Sequence, residues 1–212
     1  MAKPESLSLC GNRLLDAAID QFGRMGRNGA STRAIAAAAG TTMSAITYHF
    51  GGKDGIYLAA AGHIADHLQR VLASSLDGAA MPGARDDEAL LAELDRLVAA
   101  LLDLMLDERS ADWARFVSRE QLEPTEAFEI LYDRLLERVG ERLAALIAGL
   151  GHGRWADSAI RVKAVAILGQ VRIFGTAPGM VRRMTGLDPA KPEDKAAIEA
   201  HLLAVCRAAA LA

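Results

Sequence analysis

The sequence predicts an all-α protein, and both its composition and the spacing of its apolar residues lead to that expectation. The chain has 212 residues, of which 51% are hydrophobic but only 5% aromatic. Alanine and leucine dominate, and both residues favour helices over strands. Apolar residues recur at helical spacing in successive segments, and glycine, proline or asparagine separates these segments. We therefore expect a small N-terminal helical domain followed by a larger helical one.

The first 50 residues predict three helices. Residues 10–25 form an amphipathic pattern that Gly26-Arg27-Asn28-Gly29 should end, because glycine and asparagine tolerate the left-handed conformation. Ser31 then stands at a cap position before a short alanine-rich helix that Gly40 closes. The next helix runs to Phe50 and places Ile46 and Phe50 one turn apart as anchors. Two short helices joined by a tight glycine turn are typical of a helix-turn-helix.

This region resembles the TetR family of transcriptional regulators. The resemblance lies in Ser31-Thr-Arg-Ala-Ile-Ala-Ala-Ala-Ala-Gly40, then Ile46-Thr-Tyr-His-Phe50, then Lys53-Asp-Gly-Ile-Tyr57, and it covers residues 10 to about 60. A second run, Arg119-Glu-Gln-Leu-Glu-Pro-Thr-Glu-Ala-Phe128, looks like the CecR-type subgroup. The resemblance implies a DNA-binding transcriptional regulator. We expect neither enzymatic activity nor a cofactor.

Further helices are predicted along the rest of the chain. A connecting helix is expected over 53–75, a loop rich in Gly, Ala, Pro and Asp over 76–86, and helices at about 87–106, 110–121, 125–149, 156–175 and 190–211. Residues 158–175 are nearly all apolar, so this helix should be buried on most sides. We expect a helix-turn-helix domain at 1–52 and a regulatory and dimerisation domain at 53–212. By the resemblance, the last two long helices form a four-helix interface in a homodimer.

Charge is divided unevenly along the chain. The net charge is −3, but residues 1–55 carry six Lys/Arg against four acids, a net of +2 that leaves −5 for the remainder. Residues 1–55 thus form a basic head, followed by an acidic body, and this division suits a module that contacts an anion. Cys10 and Cys206 have no metal-like spacing and are expected to be reduced thiols of a cytoplasmic protein. The N-terminus has no apolar signal segment, and charges interrupt the apolar stretch 158–181, so no membrane span is expected.

The resemblance implies DNA contacts from the second and third helices and from the start of the fourth. Phosphate contacts fall to Thr32, Thr42, Tyr48, His49 and Lys53, and base-edge contacts fall to Met43, Ser44 and Thr47, with Arg33 as an addition. The alternative for Tyr48 and His49 is that both pack within the head.

The recognition helix departs from the family pattern because residues 41–50 contain no Arg or Lys. The bidentate guanine contact is therefore absent from this stretch, whereas Met43 and Thr47 offer apolar contact to thymine methyl groups. We expect a site whose specificity depends on A·T steps and DNA shape, in a near-palindromic operator read by a dimer.

A regulator of this kind needs a second site that a small-molecule effector occupies. The candidates are amphipathic side chains of the middle helices, although each also fits a plain core: Met105, Trp113, Phe116, Arg119, Phe128, Tyr132, Gln170 and Phe174. Arg119, Gln170 and Arg172 need partners on largely apolar helices, either an acid such as Glu120 or a bound molecule. We expect a repressor that the effector releases from its operator.

Competing interpretations have weaker support. His63 and His67 lie four residues apart, a spacing that can hold a metal, but a solvated helix face explains them equally and no further ligand is apparent. The sequence has no phosphate loop, nucleophile elbow or Cys/His cluster, and Glu120, Glu123 and Glu126 are expected at a solvated helix boundary near Pro124. The remaining alternative is a helical protein-interaction module that no longer binds DNA.

Overall fold

The computed structural model describes the backbone of residues 4–77, 86–107 and 111–212, and the side chains of the same ranges from residue 11 onward. Every regular element in these ranges is helical, which confirms the all-α prediction. The helices are α1 (Pro4–Gly29), α2 (Thr32–Ala38), α3 (Met43–Phe50), α4 (Lys53–Leu76), α5 (Asp87–Leu106), α6 (Ala111–Leu122), α7 (Glu126–Leu131), α8 (Glu137–Gly151), α9 (Asp157–Thr176), α10 (Pro178–Thr185) and α11 (Pro192–Leu211).

Packing divides the chain into two compact units. The first comprises Met1–Leu68 and Asp112–Leu135, and the second comprises Gln69–Ala111 and Leu136–Ala212. The first unit therefore contains most of α6 and all of α7 in addition to the three predicted head helices. The functional division at residue 52 that the sequence suggests stays a prediction.

The first unit has a core of large apolar side chains from four helices. Phe22 of α1, Ile35 of α2, Ile46 of α3 and Ile56 of α4 are each at most 1% exposed. The ring of Phe22 meets the ring of Tyr57 edge-on, with 4.8 Å between centroids. Burying side chains of this size contributes about 1.5–3 kcal/mol each, so the three short head helices are held by a shared core.

The second unit packs α5, α8, α9 and α11 against one another. Leu94 and Leu97 of α5, Leu143 and Ile147 of α8, and Ile167 of α9 are fully buried. A nearly buried ion pair also joins α5 to α8, in which Arg142 Nη2 lies 3.1 Å from Glu93 Oε2.

Several element boundaries differ from the sequence expectation. α1 runs from Pro4 to Gly29 rather than over 10–25, although Gly26 interrupts it with a left-handed φ of 71°. The helix predicted over 125–149 is divided by a π-helical turn at Tyr132–Leu136. Pro178 opens α10 instead of only ending α9, because proline at the first helical position loses no hydrogen bond.

Two further expectations concern parts of the chain outside these ranges. Residues 78–85 of the predicted loop lie outside the described residues, as does the side chain of Cys10. In the described ranges, no single helix has the length and apolar composition of a membrane span. The pair α9 and α10 reaches them together but is bent by 92°.

Candidate nucleic-acid interface

The turn between α2 and α3 is a Schellman motif centred on Gly40. The Thr41 N–H donates to Ala36 O at 2.9 Å and the Gly40 N–H donates to Ala37 O at 3.1 Å. Gly40 has a φ of 66°, which a residue with a side chain adopts only with strain. Arg13 Nη2 adds a hydrogen bond to Ala39 O at 2.9 Å and so fastens α1 to the end of α2. These contacts set the angle at which α3 leaves α2.

α3 presents one buried face and one exposed face. Ile46 is 1% exposed and Phe50 is half-buried, so these two residues anchor the helix as predicted. The predicted contact residues that lie on the exposed side are Met43, Ser44, Thr47, Tyr48 and His49. This side offers hydroxyls, an imidazole and apolar surface, but no cation.

Tyr48 and His49 both point away from the core. Tyr48 is 85% exposed, and its ring meets the exposed His49 ring edge-on, with 5.0 Å between the ring centroids. Packing within the head therefore does not account for either side chain. An aromatic hydroxyl and an imidazole at this position can donate hydrogen bonds to phosphate oxygens.

The N-terminal end of α3 leaves donors free. Thr42 occupies the cap position but makes no side-chain cap, and its Oγ1 instead lies 2.9 Å from Ser44 Oγ. The first amides of a helix lack intrahelical acceptors and favour anions. On α2, Arg33 is exposed and Thr32 is half-buried. Hydroxyls, amides and one guanidinium are thus available along the α2–α3 edge.

Lys53 opens α4 and is tied to the end of α1. Its Nζ donates to Asn28 O at 3.2 Å, which uses one of its three donors. Next to it, Arg27 forms an ion pair with Asp54 at 2.8 Å and lies 5.6 Å from the centroid of the Tyr57 ring. The Asp54 carboxylate raises the pKa of Arg27 through this hydrogen bond. These contacts hold the beginning of α4 against the α1–α2 turn.

Gly55 allows α3 and α4 to meet closely. A Cβ at this position would lie 1.6 Å from Phe50 O, which is a backbone atom. The backbone of α4 therefore lies close to that of α3 at the corner between these helices. The sequence offered Gly55 only as part of a family motif, with no indication of this contact.

The residues predicted to line an effector pocket are distributed over both units. In the first unit, Phe116 is buried, and its ring centroid lies 4.9 Å from that of Tyr57. The ring centroids of Phe128 and Tyr132 lie 5.9 Å apart. Arg119 is exposed, and its guanidinium lies over Gly26. In the same unit, an open cleft is lined by Arg13, Asp16, Ala17, Ala38, Ala39 and Gly40, none of them a predicted lining residue.

The other candidates belong to the second unit. Met105 and Phe174 are half-buried, and the Cys206 thiol donates to Gln170 Oε1 at 3.4 Å. Gln170 thus has a protein partner, as a polar group on an apolar helix requires. The effector pocket stays a prediction.

Trp113 and the histidine pair lie together. The indole of Trp113 meets both imidazoles edge-on, with ring centroids 4.5 Å apart for His67 and 6.0 Å apart for His63. The Nε2 atom of His63 also lies 3.6 Å from Asp16 Oδ1. Throughout the part of the chain that the structure describes, no group of three His, Cys, Asp or Glu side chains is placed to hold a metal.

Glu120 corrects the prediction of a solvated acidic boundary. It is 1% exposed, whereas Glu123 and Glu126 are exposed as expected. Glu120 follows Phe116 by one helical turn, so it continues the buried face of α6, and this spacing is the signal that sequence reasoning missed. Its carboxylate accepts a hydrogen bond from the Tyr57 hydroxyl. Burial, followed by this hydrogen bond, raises the pKa of Tyr57.

Comparison with known proteins is consistent with this geometry. Residues 14–60 match the family described as bacterial regulatory proteins, tetR family, and residues 90–212 match the C-terminal domain of the HTH-type transcriptional dual regulator CecR. The HTH-type transcriptional dual regulator CecR of Shigella flexneri is 32% identical over 179 residues, which cover 82% of this chain and 79% of that protein.

Solved structures share the fold. A putative transcriptional regulator from Pseudomonas aeruginosa PAO1 has a TM-score of 0.67 at 22% identity, over 98% of this chain and 90% of that one. AibR in complex with isovaleryl coenzyme A and operator DNA has a TM-score of 0.71 at 16% identity, over 92% of this chain and 97% of that one.

Proposed function

The chain belongs to the TetR family of transcriptional regulators and to its CecR-type subgroup, and we propose that it represses transcription as an operator-bound homodimer that a small molecule releases. The observation that carries the proposal is the exposed face of α3. This face holds five side chains fit for groove and phosphate contact on a helix that Gly40 and Ile46 position. Such a regulator works in the cytoplasm, where the chromosome lies.

DNA reading falls to side chains without positive charge. Met43 and Thr47 are exposed and suit thymine methyl groups, and the Ser44 hydroxyl suits a short hydrogen bond to a base edge. The phosphate contacts fall to Thr32, Thr42, Tyr48, His49 and Lys53, with Arg33 as the nearest cation on α2. The operator is therefore rich in A·T steps. Selection from random DNA should return such sites, and a G-rich core would contradict this assignment.

The dimer interface falls to α9 and α11. α9 is exposed along one apolar stripe that contains Val162, Val165 and Ile173, with both valines 68% exposed. The sequence had predicted burial of this helix on most sides, which is wrong for a single chain. A contiguous apolar stripe on a surface helix marks an interaction site, and the resemblance names a second copy of this chain as its occupant.

α11 supplies a matching surface. Val205 is 52% exposed and Leu211 is 41% exposed, and small alanines lie between them. Val165→Asp should convert the dimer to a monomer in light scattering, because two carboxylates would meet near the symmetry axis. Glu137→Ala, on exposed surface at the beginning of α8, serves as the control. A dimeric Val165→Asp protein at micromolar concentration would place the interface elsewhere.

A small-molecule effector completes the proposal. Family members bind both a ligand and an operator, as AibR does with isovaleryl coenzyme A and operator DNA. A ligand shifts DNA binding only if it prefers one of two states of the protein. The amphipathic residues of α5 to α9 named above remain the candidates for this site.

The decisive experiment measures binding to DNA taken from upstream of the gene itself. Fluorescence anisotropy should show sequence-specific binding that weakens steeply as salt rises. A protein-interaction module that kept the helix-turn-helix shape would show no preference over random DNA. Binding without such a preference would refute the regulator assignment.

A further inference from the structure

A buried carboxylate connects α6 with the DNA-binding head. Glu120 Oε2 accepts hydrogen bonds from the Thr125 main-chain N–H at 3.1 Å and from Thr125 Oγ1 at 2.8 Å. Its other oxygen, Oε1, accepts from the hydroxyl of Tyr57 on α4. A buried carboxylate needs hydrogen-bond partners. Three donors reach Glu120, one from α4 and two from the turn before α7, so both of its oxygens are hydrogen-bonded.

Two glycines of α1 let α6 approach the head closely. A Cβ at Gly23 would lie 2.6 Å from Asp112 O, and a Cβ at Gly26 would lie 3.1 Å from Arg119 Nη1. α6 therefore rests against α1 near both of its ends, while Glu120 reaches α4. All of these contacts lie within the first compact unit.

Tyr57 stands close to the elements that hold α3. It follows Gly55 by two residues, and Gly55 abuts the last carbonyl of α3. Its ring packs between Phe22 and Phe116 and under the guanidinium of Arg27, the partner of Asp54. A displacement of Tyr57 thus moves the first turn of α4, on which the end of α3 rests.

We propose that Glu120 is a positioning residue for operator recognition, which acts by holding α4, and through it α3, at one angle. This inference rests on the proposed function. Without the Tyr57–Glu120 hydrogen bond, the head samples further orientations, and apparent affinity falls with the fraction that fits the groove. Specific binding needs that orientation, whereas non-specific binding depends mainly on charge near the backbone. Loss of the bond therefore lowers the ratio of operator to non-specific affinity.

The test compares two single-hydroxyl deletions that face the same carboxylate. Tyr57→Phe removes the donor on α4 and keeps the ring packing. Thr125→Val removes a donor outside the head, and the Thr125 main-chain N–H still orients the carboxylate. A hydrogen bond to a charged group is worth enough for about a 10-fold change in binding. We expect Tyr57→Phe to lose about 10-fold in operator affinity at unchanged non-specific affinity, and Thr125→Val to bind as wild type.

Substitution of Glu120 itself distinguishes an effect on the angle of α3 from a loss of folding stability. Glu120→Gln keeps a carbonyl for the Thr125 donors and an amide that can donate to the Tyr57 oxygen, so it should retain most of the operator affinity. Glu120→Ala should lose it as Tyr57→Phe does, at a temperature well below unfolding. We therefore expect operator affinity to be retained in Glu120→Gln and Thr125→Val, and to be lost in Glu120→Ala and Tyr57→Phe.

Amide hydrogen exchange supplies a readout that needs no DNA. Tyr57→Phe should speed exchange in α3, residues 43–50, whereas Thr125→Val should speed it only around α7. Equal losses of operator affinity in both variants, or unchanged exchange in α3 of Tyr57→Phe, would overturn the inference. If wild-type protein bound no operator, the proposed function would fail, and the exchange comparison would still decide whether Glu120 restrains α3.

Discussion

Gly55→Ala is the substitution for which the structure gives the clearest expected outcome. The added Cβ would lie 1.6 Å from Phe50 O, whereas Cβ atoms essentially never approach another atom within 3.0 Å. The corner between α3 and α4 would therefore have to open by about 1.4 Å. Because the opposing atom belongs to the backbone, no side-chain rotation relieves the contact. Overpacking of this severity costs about 3 kcal/mol or more.

Two measurements follow from that magnitude. In a chain of this length, a loss of about 3 kcal/mol lowers the Tm by roughly 6–12 °C. Operator affinity should fall by at least 10-fold even at low temperature, because the corner sets the angle of α3. Gly11→Ala is the matched control, since a Cβ at Gly11 in α1 meets nothing within 4 Å. The reasoning would be refuted by a Gly55→Ala protein with the wild-type Tm and operator affinity.

Three further outcomes are expected. Ile46→Ala should lower the free energy of unfolding by about 2–5 kcal/mol in urea titrations, because the side chain is 1% exposed and leaves a cavity; a change below about 1 kcal/mol would contradict its anchoring role. Lys53→Ala should weaken binding to all DNA sequences and reduce the slope of log affinity against log salt by about 1; a loss confined to one operator sequence would argue against a phosphate contact. Burial and then the nearby Asp95 raise the pKa of Cys206 to about 11, so little thiolate exists at pH 8. In a Cys10→Ser background, iodoacetamide should therefore modify Cys206 only after denaturation, and rapid reaction of the folded protein would contradict this.

Local rules explain what the sequence predicted well. The bounds of α3 follow from Gly40, which ends α2, and from Gly51, which ends α3 with a φ of 75°. Each of these glycines acts on its own neighbours, so no knowledge of the rest of the chain is needed. The anchoring role of Ile46 follows equally from its spacing to Phe50. The head could therefore be outlined from about 50 residues.

Contacts distant in sequence explain what was missed. Glu120 looked like one acid among three near Pro124, because its partner Tyr57 is 63 residues away. The clash that keeps position 23 a glycine comes from Asp112, which is even more remote in sequence. The apolar character of α9 predicted burial on most sides, but Val162 and Val165 are 68% exposed, because apolar composition does not tell which face a helix turns to its own chain. Packing partners of this sort are determined by the fold as a whole.

The short side chains on the exposed face of α3 require that the helix be held at a fixed angle. An arginine has a long side chain whose fork can still reach guanine when the helix tilts slightly. The hydroxyls of Ser44 and Thr47 are short, and methyl contacts from Met43 weaken within about 1 Å of added separation. A helix built from such residues, in the role proposed above, would discriminate between sequences only if its angle is held. The Schellman turn at Gly40, the close corner at Gly55 and the buried carboxylate of Glu120 each restrict that angle. Among these three, only the carboxylate lies on α6, so a shift of α6 would act on recognition first through Glu120.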